Sequence, residues 1–158
     1  MAYKVFISYA TKDLSIVNQF QHMLTYASDG SVEVYIAEYS ALPGVVIGET
    51  IKNAIEACDL FLLFWSRHSK VSEWVPQEIG IATHAKKTIM PIVLEPNLEL
   101  PGFIRELKYL AAYKDPWYAM GLVRGHVFKN AREKQQKDGL TWLAIGAGFL
   151  WLLSRDDE

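Results

Sequence analysis

The run Leu60-Phe61-Leu62-Leu63-Phe64-Trp65 is apolar at every position. A strand with one wet face alternates polar and apolar residues, so six apolar residues in a row suit a strand covered on both faces, the centre of a parallel sheet between helices. Parallel strands need crossover connections, and the flanking sequence supplies them. Tyr3 to Tyr9 is a compact β-branched and aromatic strand. Val17, Phe20, Leu24 and Ala27 then recur at helical spacing until Ser28-Asp29-Gly30 ends the pattern. Val32 to Ala37 reads as a second strand, Glu38 to Gly48 as a loop with Pro43-Gly44 at its tip, and Ile51, Ile55 and Cys58 as the buried side of a second helix. After the central strand come a helix carrying Trp74 and Glu78, a strand from Ile89 to Leu94, and a short strand near Tyr109 to Ala112. A closing helix runs from about Pro116 to Lys137, with Trp117, Met120, Val123 and Val127 inward. Strict alternation of strands and helices predicts an α/β fold, a flavodoxin-like parallel sheet with right-handed crossovers and helices on both faces.

Residues 1–137 account for one complete domain, leaving 138–158 as an appended segment. With 51% hydrophobic residues the chain is neither disordered nor fibrous, and a formal net charge of -2 leaves no bulk basic footprint for nucleic acid. Cys58 is the sole cysteine, so an intrachain disulfide is excluded, and the first strand follows Met1 without a signal peptide; the expected compartment is cytoplasmic. His22, His68, His84 and His126 have no spacing that resembles a metal site, and no metal is expected. Gly44 and Gly48 lack the lysine and spacing of a phosphate loop, and neither Ser8 nor Ser66 sits on a glycine-flanked nucleophile elbow. Cys58, at a helix end before a buried strand, reads as a small core hydrophobe.

The chemistry-bearing stretch is Trp74-Val75-Pro76-Gln77-Glu78. A helix opening at Ser72 or Glu73 places Trp74 and Glu78 at i and i+4 on one face, while Val75, Ile79 and Ala82 form an apolar stripe toward the core. Pro76 must then lie in the first turn, where its missing N–H is tolerated. A carboxylate beside a large aromatic, after the C-terminal end of a strand, stands where open α/β sheets keep their ligand chemistry. The same spacing is also common on ordinary amphipathic helices.

The order of elements and their text resemble a TIR (Toll/interleukin-1 receptor) domain. The resemblance is carried by Lys4-Val5-Phe6-Ile7-Ser8-Tyr9-Ala10 with Lys12-Asp13, by Leu42-Pro43-Gly44, and by Ala57-Cys58-Asp59-Leu60-Phe61-Leu62. It continues through Ser66, Ser72-Glu73-Trp74-Val75, Glu78-Ile79-Gly80 and Ile89-Met90-Pro91-Ile92-Val93, spanning roughly residues 3 to 135. The family holds two functional kinds, adaptors that dock with other TIR domains and enzymes that cleave NAD+ between nicotinamide and ribose. Prokaryotic NAD-cleaving members often carry W-x-x-x-E, matched here by Trp74 and Glu78, and the chain resembles Thoeris-like antiphage TIR proteins. The resemblance implies an NAD+ glycohydrolase or ADP-ribosyl cyclase with Glu78 as the catalytic carboxylate and NAD+ as substrate without a further cofactor. It implies partners among other TIR domains, as a homo-oligomer or filament, in an immune or signalling role; the alternative is a noncatalytic TIR–TIR adaptor. Ser8, Tyr9, Ala10, Lys12 and Asp13 would meet the dinucleotide, with Trp74 and Tyr39 offering stacking faces, and Leu42, Pro43 and Gly44 would form an assembly loop. Each has a plainer reading: Lys12-Asp13 as a helix cap, Tyr9 as a core aromatic, the loop from Glu38 to Gly48 as an assembly surface only.

Leu140 to Leu153 (LTWLAIGAGFLWLL) has Thr141 as its one polar residue. Such a helix must be buried against its own domain, another copy or a membrane. Fourteen helical residues extend about 21 Å, short of the roughly 30 Å hydrocarbon core, and protein–protein burial is the favoured outcome.

Overall fold

The computed structural model describes residues 1–37 and 47–153, so the expectations for Tyr39, Leu42, Pro43 and Gly44 lie outside the described residues. The strands are β1 (Tyr3–Ser8), β2 (Val32–Ile36), β3 (Leu60–Trp65), β4 (Thr88–Val93) and β5 (Leu110–Ala111). The helices are α1 (Leu14–Thr25), α2 (Ile47–Ala57), α3 (Arg67–Lys70), α4 (Val75–His84) and α5 (Pro116–Leu153). The sheet order is β2-β1-β3-β4-β5, and every described pairing is parallel, from Val5 opposite Leu60 to Val93 opposite Ala111. This is the flavodoxin-like order, with its topological switch between β1 and β3.

The six apolar residues of β3 divide by the period of the strand. Leu60, Leu62 and Phe64 join Val5, Ile7 and Ile92 under α1 and α5, whose Val17, Phe20, Leu24, Met120, Val123 and Val127 close one layer. Phe61, Leu63 and Trp65 join Phe6 and Val93 under α2 and α4, meeting Ile51, Ile55, Val75, Ile79 and Ala82. Phe6 stacks between Tyr35 and Phe61 at ring separations of 5.4 Å on each side, and Phe20 meets Phe64 edge-on at 5.0 Å. Aromatic geometry of this kind adds about 0.5–1.5 kcal/mol per pair beyond area burial.

Four expectations need correction. Ala27 does not extend the buried stripe of α1: the helix ends at Thr25, and Ala27 is exposed in a left-handed turn (φ 58°) that lets Ser28 to Ser31 lead into β2. Trp117 is 76% exposed, because the buried face of α5 runs through Ala119, Met120, Val123, Val127 and Ala131 instead. The helix of Trp74 and Glu78 opens at Val75, with Trp74 as its N-cap and Pro76 at the second helical position. The Ser72 hydroxyl accepts hydrogen bonds from the Trp74 and Val75 amides at 3.2 and 3.3 Å, so Ser72 caps from outside the helix. α5 also runs unbroken from Pro116 through Lys137 to Leu153.

Candidate active site

β1 and β3 are neighbours, yet their chains leave the sheet toward opposite faces, and the connections part at the C-terminal ends of the two strands. After β1, Tyr9 and Ala10 lead into a 3-10 turn, Thr11–Asp13, closed by the Asp13 amide on the Ala10 carbonyl at 2.8 Å. After β3, Ser66 caps α3: its hydroxyl accepts from the His68 and Ser69 amides at 3.1 and 3.2 Å, while the Ser69 hydroxyl accepts from the Ser66 amide. Between these connections lies a cleft of about 350 Å³. Tyr9, Ala10, Thr11 and Lys12 form one wall, and His68, Val71, Ser72 and Trp74 the other. Its charged or ionisable lining groups are Lys12, His68 and the Tyr9 phenol, so no carboxylate among the described residues opposes an anion there. A larger hollow of about 540 Å³ between α1 and α5 is lined by His22, Met23, Trp117 and Met120 and gathers no comparable chemistry.

Ser8 and Glu78 neighbour the two walls in sequence, one residue before Tyr9 and four after Trp74. Ser8 ends β1 and is fully buried; Glu78 is 2% exposed on α4. The Ser8 hydroxyl donates a hydrogen bond to the Glu78 carboxylate, joining strand to helix. The Glu78 amide donates to the Trp74 carbonyl at 3.0 Å, so the i, i+4 relation read from the sequence is a hydrogen-bonded helical turn. Neither Ser8 nor Glu78 lines the cleft; their sequence neighbours Tyr9 and Trp74 do.

The remaining expected site residues separate by what they touch. Tyr9 is buried and donates its hydroxyl to the Ala37 carbonyl at 3.2 Å, tying β1 to the end of β2 while one side of the residue meets the cleft. Lys12 is exposed at the cleft. Asp13 occupies the N-cap of α1 without making a cap bond, because its carboxylate instead accepts from the Ser66 hydroxyl at 2.5 Å. The connections that carry the two walls are thus joined by an Asp13–Ser66 bond.

His68, Val71 and Ser72 were not foreseen as cleft residues. The signal that reveals them is Ser66 followed three residues later by Ser69, a reciprocal cap that opens the short α3 and turns His68 toward the cleft. α3 is held from its other side by Glu95, which accepts from the Arg67 amide and guanidinium. The amide bond first, then the guanidinium, holds the Glu95 carboxyl below the usual carboxylate range. No group of three or more His, Cys, Asp or Glu among the described residues has the geometry to hold a metal ion.

A flavodoxin-like sheet with a switch-point cleft defines a broad class of ligand-binding α/β domains. The TIR domain family profile matches residues 5–122, and the chain belongs to that family. Among solved structures, it is similar to the TIR domain of the Toll-related receptor TRR-2 from Hydra magnipapillata. The TM-score is 0.63 and the identity 22%, over 83% of this chain and 99% of that one. It is also similar to the CMP N-glycosidase BcmB of Clostridium botulinum, with a TM-score of 0.54 and 20% identity over 75% and 97% of the two chains. At these identities the likenesses speak for the fold. No curated protein sequence matches the chain significantly.

Proposed function

We propose that this TIR domain cleaves NAD+ at the bond between nicotinamide and ribose, with Glu78 as the catalytic carboxylate. The observation that carries the reading is a buried glutamate in the first turn of α4, bonded to Ser8 and one helical turn after Trp74 of a switch-point cleft. Nicotinamide is cationic in the substrate and leaves neutral, so its departure requires no general acid. The demand is for negative charge against the ribosyl cation that develops as the bond breaks. A carboxylate shielded from water meets that demand more strongly than an exposed one. Lys12 and His68 suit the diphosphate, and Trp74 and Tyr9 offer faces to the rings. The related fold of a CMP N-glycosidase supports the reading to the extent that its name describes cleavage of a nucleotide at an N-glycosidic bond.

The second reading, a noncatalytic docking module, draws on the burial of Glu78 and its absence from the cleft lining, which also suit a carboxylate that only joins α4 to β1. Concentrated protein incubated with NAD+, with products resolved by mass, separates the two. Free ADP-ribose, a cyclised form or a conjugate reports which nucleophile reaches the ribosyl cation. Glu78→Gln keeps the shape and removes the charge, and nicotinamide release is expected to fall by about a hundredfold or more with the fold intact. Turnover at the wild-type rate in that variant assigns Glu78 a structural role.

A further inference from the structure

Each connection that walls the cleft brings one nitrogen-bearing side chain to it, Lys12 from the turn after β1 and His68 from α3. The charged groups next to them are already matched. Arg67, the residue before His68, has its guanidinium on Glu95; Asp13, the residue after Lys12, accepts from the Ser66 hydroxyl; and Glu78 accepts from Ser8. Lys70 and Glu73 are exposed and do not line the cleft. Among the described residues the Lys12 ammonium and the His68 imidazole make no hydrogen bond or ion pair, while the His68 amide donates to the Ser66 hydroxyl at 3.1 Å. The backbone that carries the imidazole is therefore fixed by the cap of α3 and by the Arg67–Glu95 pair, and the half-buried ring is left for a ligand.

We propose that His68 determines which phosphate ligand the cleft accepts: with Lys12 on the opposite wall it reads a diphosphate bridge, one phosphate to each wall, and so selects a dinucleotide over a mononucleotide. The inference rests on the dinucleotide reading above for its ligand and adds the residue that sets the choice. Each phosphate of such a bridge carries one negative charge and oxygens that accept hydrogen bonds. Lysine meets them with N–H donors on a full charge, and imidazole with a ring N–H that either nitrogen can carry. Hydrogen bonds to an ionised phosphate are roughly twice as strong as those between neutral groups. No carboxylate among the described residues lines the cleft to repel the second phosphate. A mononucleotide brings one phosphate and meets one of the two groups. Bare inorganic diphosphate meets both groups and leaves the faces of Tyr9 and Trp74, on the same two walls, unused.

The test measures binding by the full chain without turnover. ADP-ribose carries the diphosphate and no nicotinamide, and AMP carries the same adenosine with one phosphate. Calorimetric titration is expected to show ADP-ribose bound at least about tenfold more tightly than AMP. Lys12→Met and His68→Leu are each expected to weaken ADP-ribose about tenfold, whereas AMP loses affinity to only one of them. His68→Lys, which restores a donor, is expected to recover the preference that His68→Leu loses, a rescue that a merely structural role for His68 does not give. Equal affinity for ADP-ribose and AMP, no measurable binding of ADP-ribose, an ADP-ribose affinity unchanged in His68→Leu, or inorganic pyrophosphate bound as tightly as ADP-ribose overturns the proposal. Nicotinamide release from NAD+ separates this result from the cleavage reading. A chain that shows the preference and releases no nicotinamide keeps the diphosphate site and loses the catalytic role of Glu78; a chain that cleaves NAD+ while its ADP-ribose affinity ignores His68 does the reverse. Where NAD+ is cleaved, His68→Leu is expected to raise KM more than it lowers kcat.

Discussion

At the residue scale, the contact that most constrains the candidate site is the hydroxyl of Ser8 on the carboxylate of Glu78, between two side chains that are 0% and 2% exposed. A buried carboxylate relies on every donor aimed at it, and removing one leaves that part of its desolvation uncompensated. Ser8→Ala is expected to lose about 1–3 kcal/mol of unfolding free energy, read by urea denaturation, because a buried acceptor loses its donor. No change in the urea midpoint would mean that water or a rearranged neighbour replaces the bond without loss. Cys58 presents the opposite case. Burial first, with the nearby Asp59 adding to it against the opposing effect of Lys87, pushes its thiol up to about 11 from 9.0. The folded state therefore favours the neutral thiol; its contribution to stability is complete below pH 9 and fades as pH rises from about 9 toward 11. Alkylation by iodoacetamide at pH 8 is expected to be negligible in the native protein and rapid in urea, consistent with a core residue. Fast native alkylation would mark Cys58 as accessible.

At the scale of elements, the cleft is held by bonds between connections. Asp13 to Ser66 joins the loops after β1 and β3, and Glu95 to Arg67 joins the end of β4 to α3. The second tie has a pH signature. Glu95 titrates lower when folded than when unfolded, so its contribution is present above the ordinary glutamate range and is lost as pH falls through the depressed folded value. Hydrogen exchange at the Arg67 amide is expected to accelerate as pH falls below about 4.5, relative to other amides of similar burial. Glu95→Gln should remove most of that acid dependence; an unchanged profile would place its origin elsewhere.

The strands were legible because side-chain period and β-branched runs report burial directly: β3 has the expected limits, β1 and β2 end one residue early, and β4 is shifted by one residue at both ends. The helical turn that relates Trp74 to Glu78 was legible because helical spacing is local. The wall formed by His68, Val71 and Ser72 was not, since a four-residue helix leaves no periodicity and its capping serines resemble a polar linker. Trp117 misled because an aromatic at helical spacing reads as inward, whereas the buried arc of α5 runs through Ala119, Met120, Val123 and Val127. The extent of α5 depends on helix propagation through Gly139, which a boundary drawn at the basic run does not anticipate.

At the scale of the molecule, the described cleft is small for its proposed substrate. A volume of about 350 Å³ stands near the lower end of the roughly 300–1,000 Å³ that serves drug-sized ligands, and a dinucleotide is a large member of that class. Part of the substrate is then expected to lie against groups beyond the described lining. The chain offers two sources. One is the segment Ala41-Leu42-Pro43-Gly44-Val45-Val46-Ile47, apolar in sequence; the other is a second copy brought close by association. If a neighbour completes the pocket, the fraction of competent sites follows the fraction of assembled chains. Specific NAD-cleaving activity is then expected to rise with protein concentration and to level off where sedimentation shows assembly complete, with a Gly44→Arg variant displaced to higher concentration. Specific activity that stays flat across a thousandfold dilution, together with unchanged assembly and turnover in Gly44→Arg, would show that one chain encloses its substrate alone and that residues 38–46 serve only as a connection between β2 and α2.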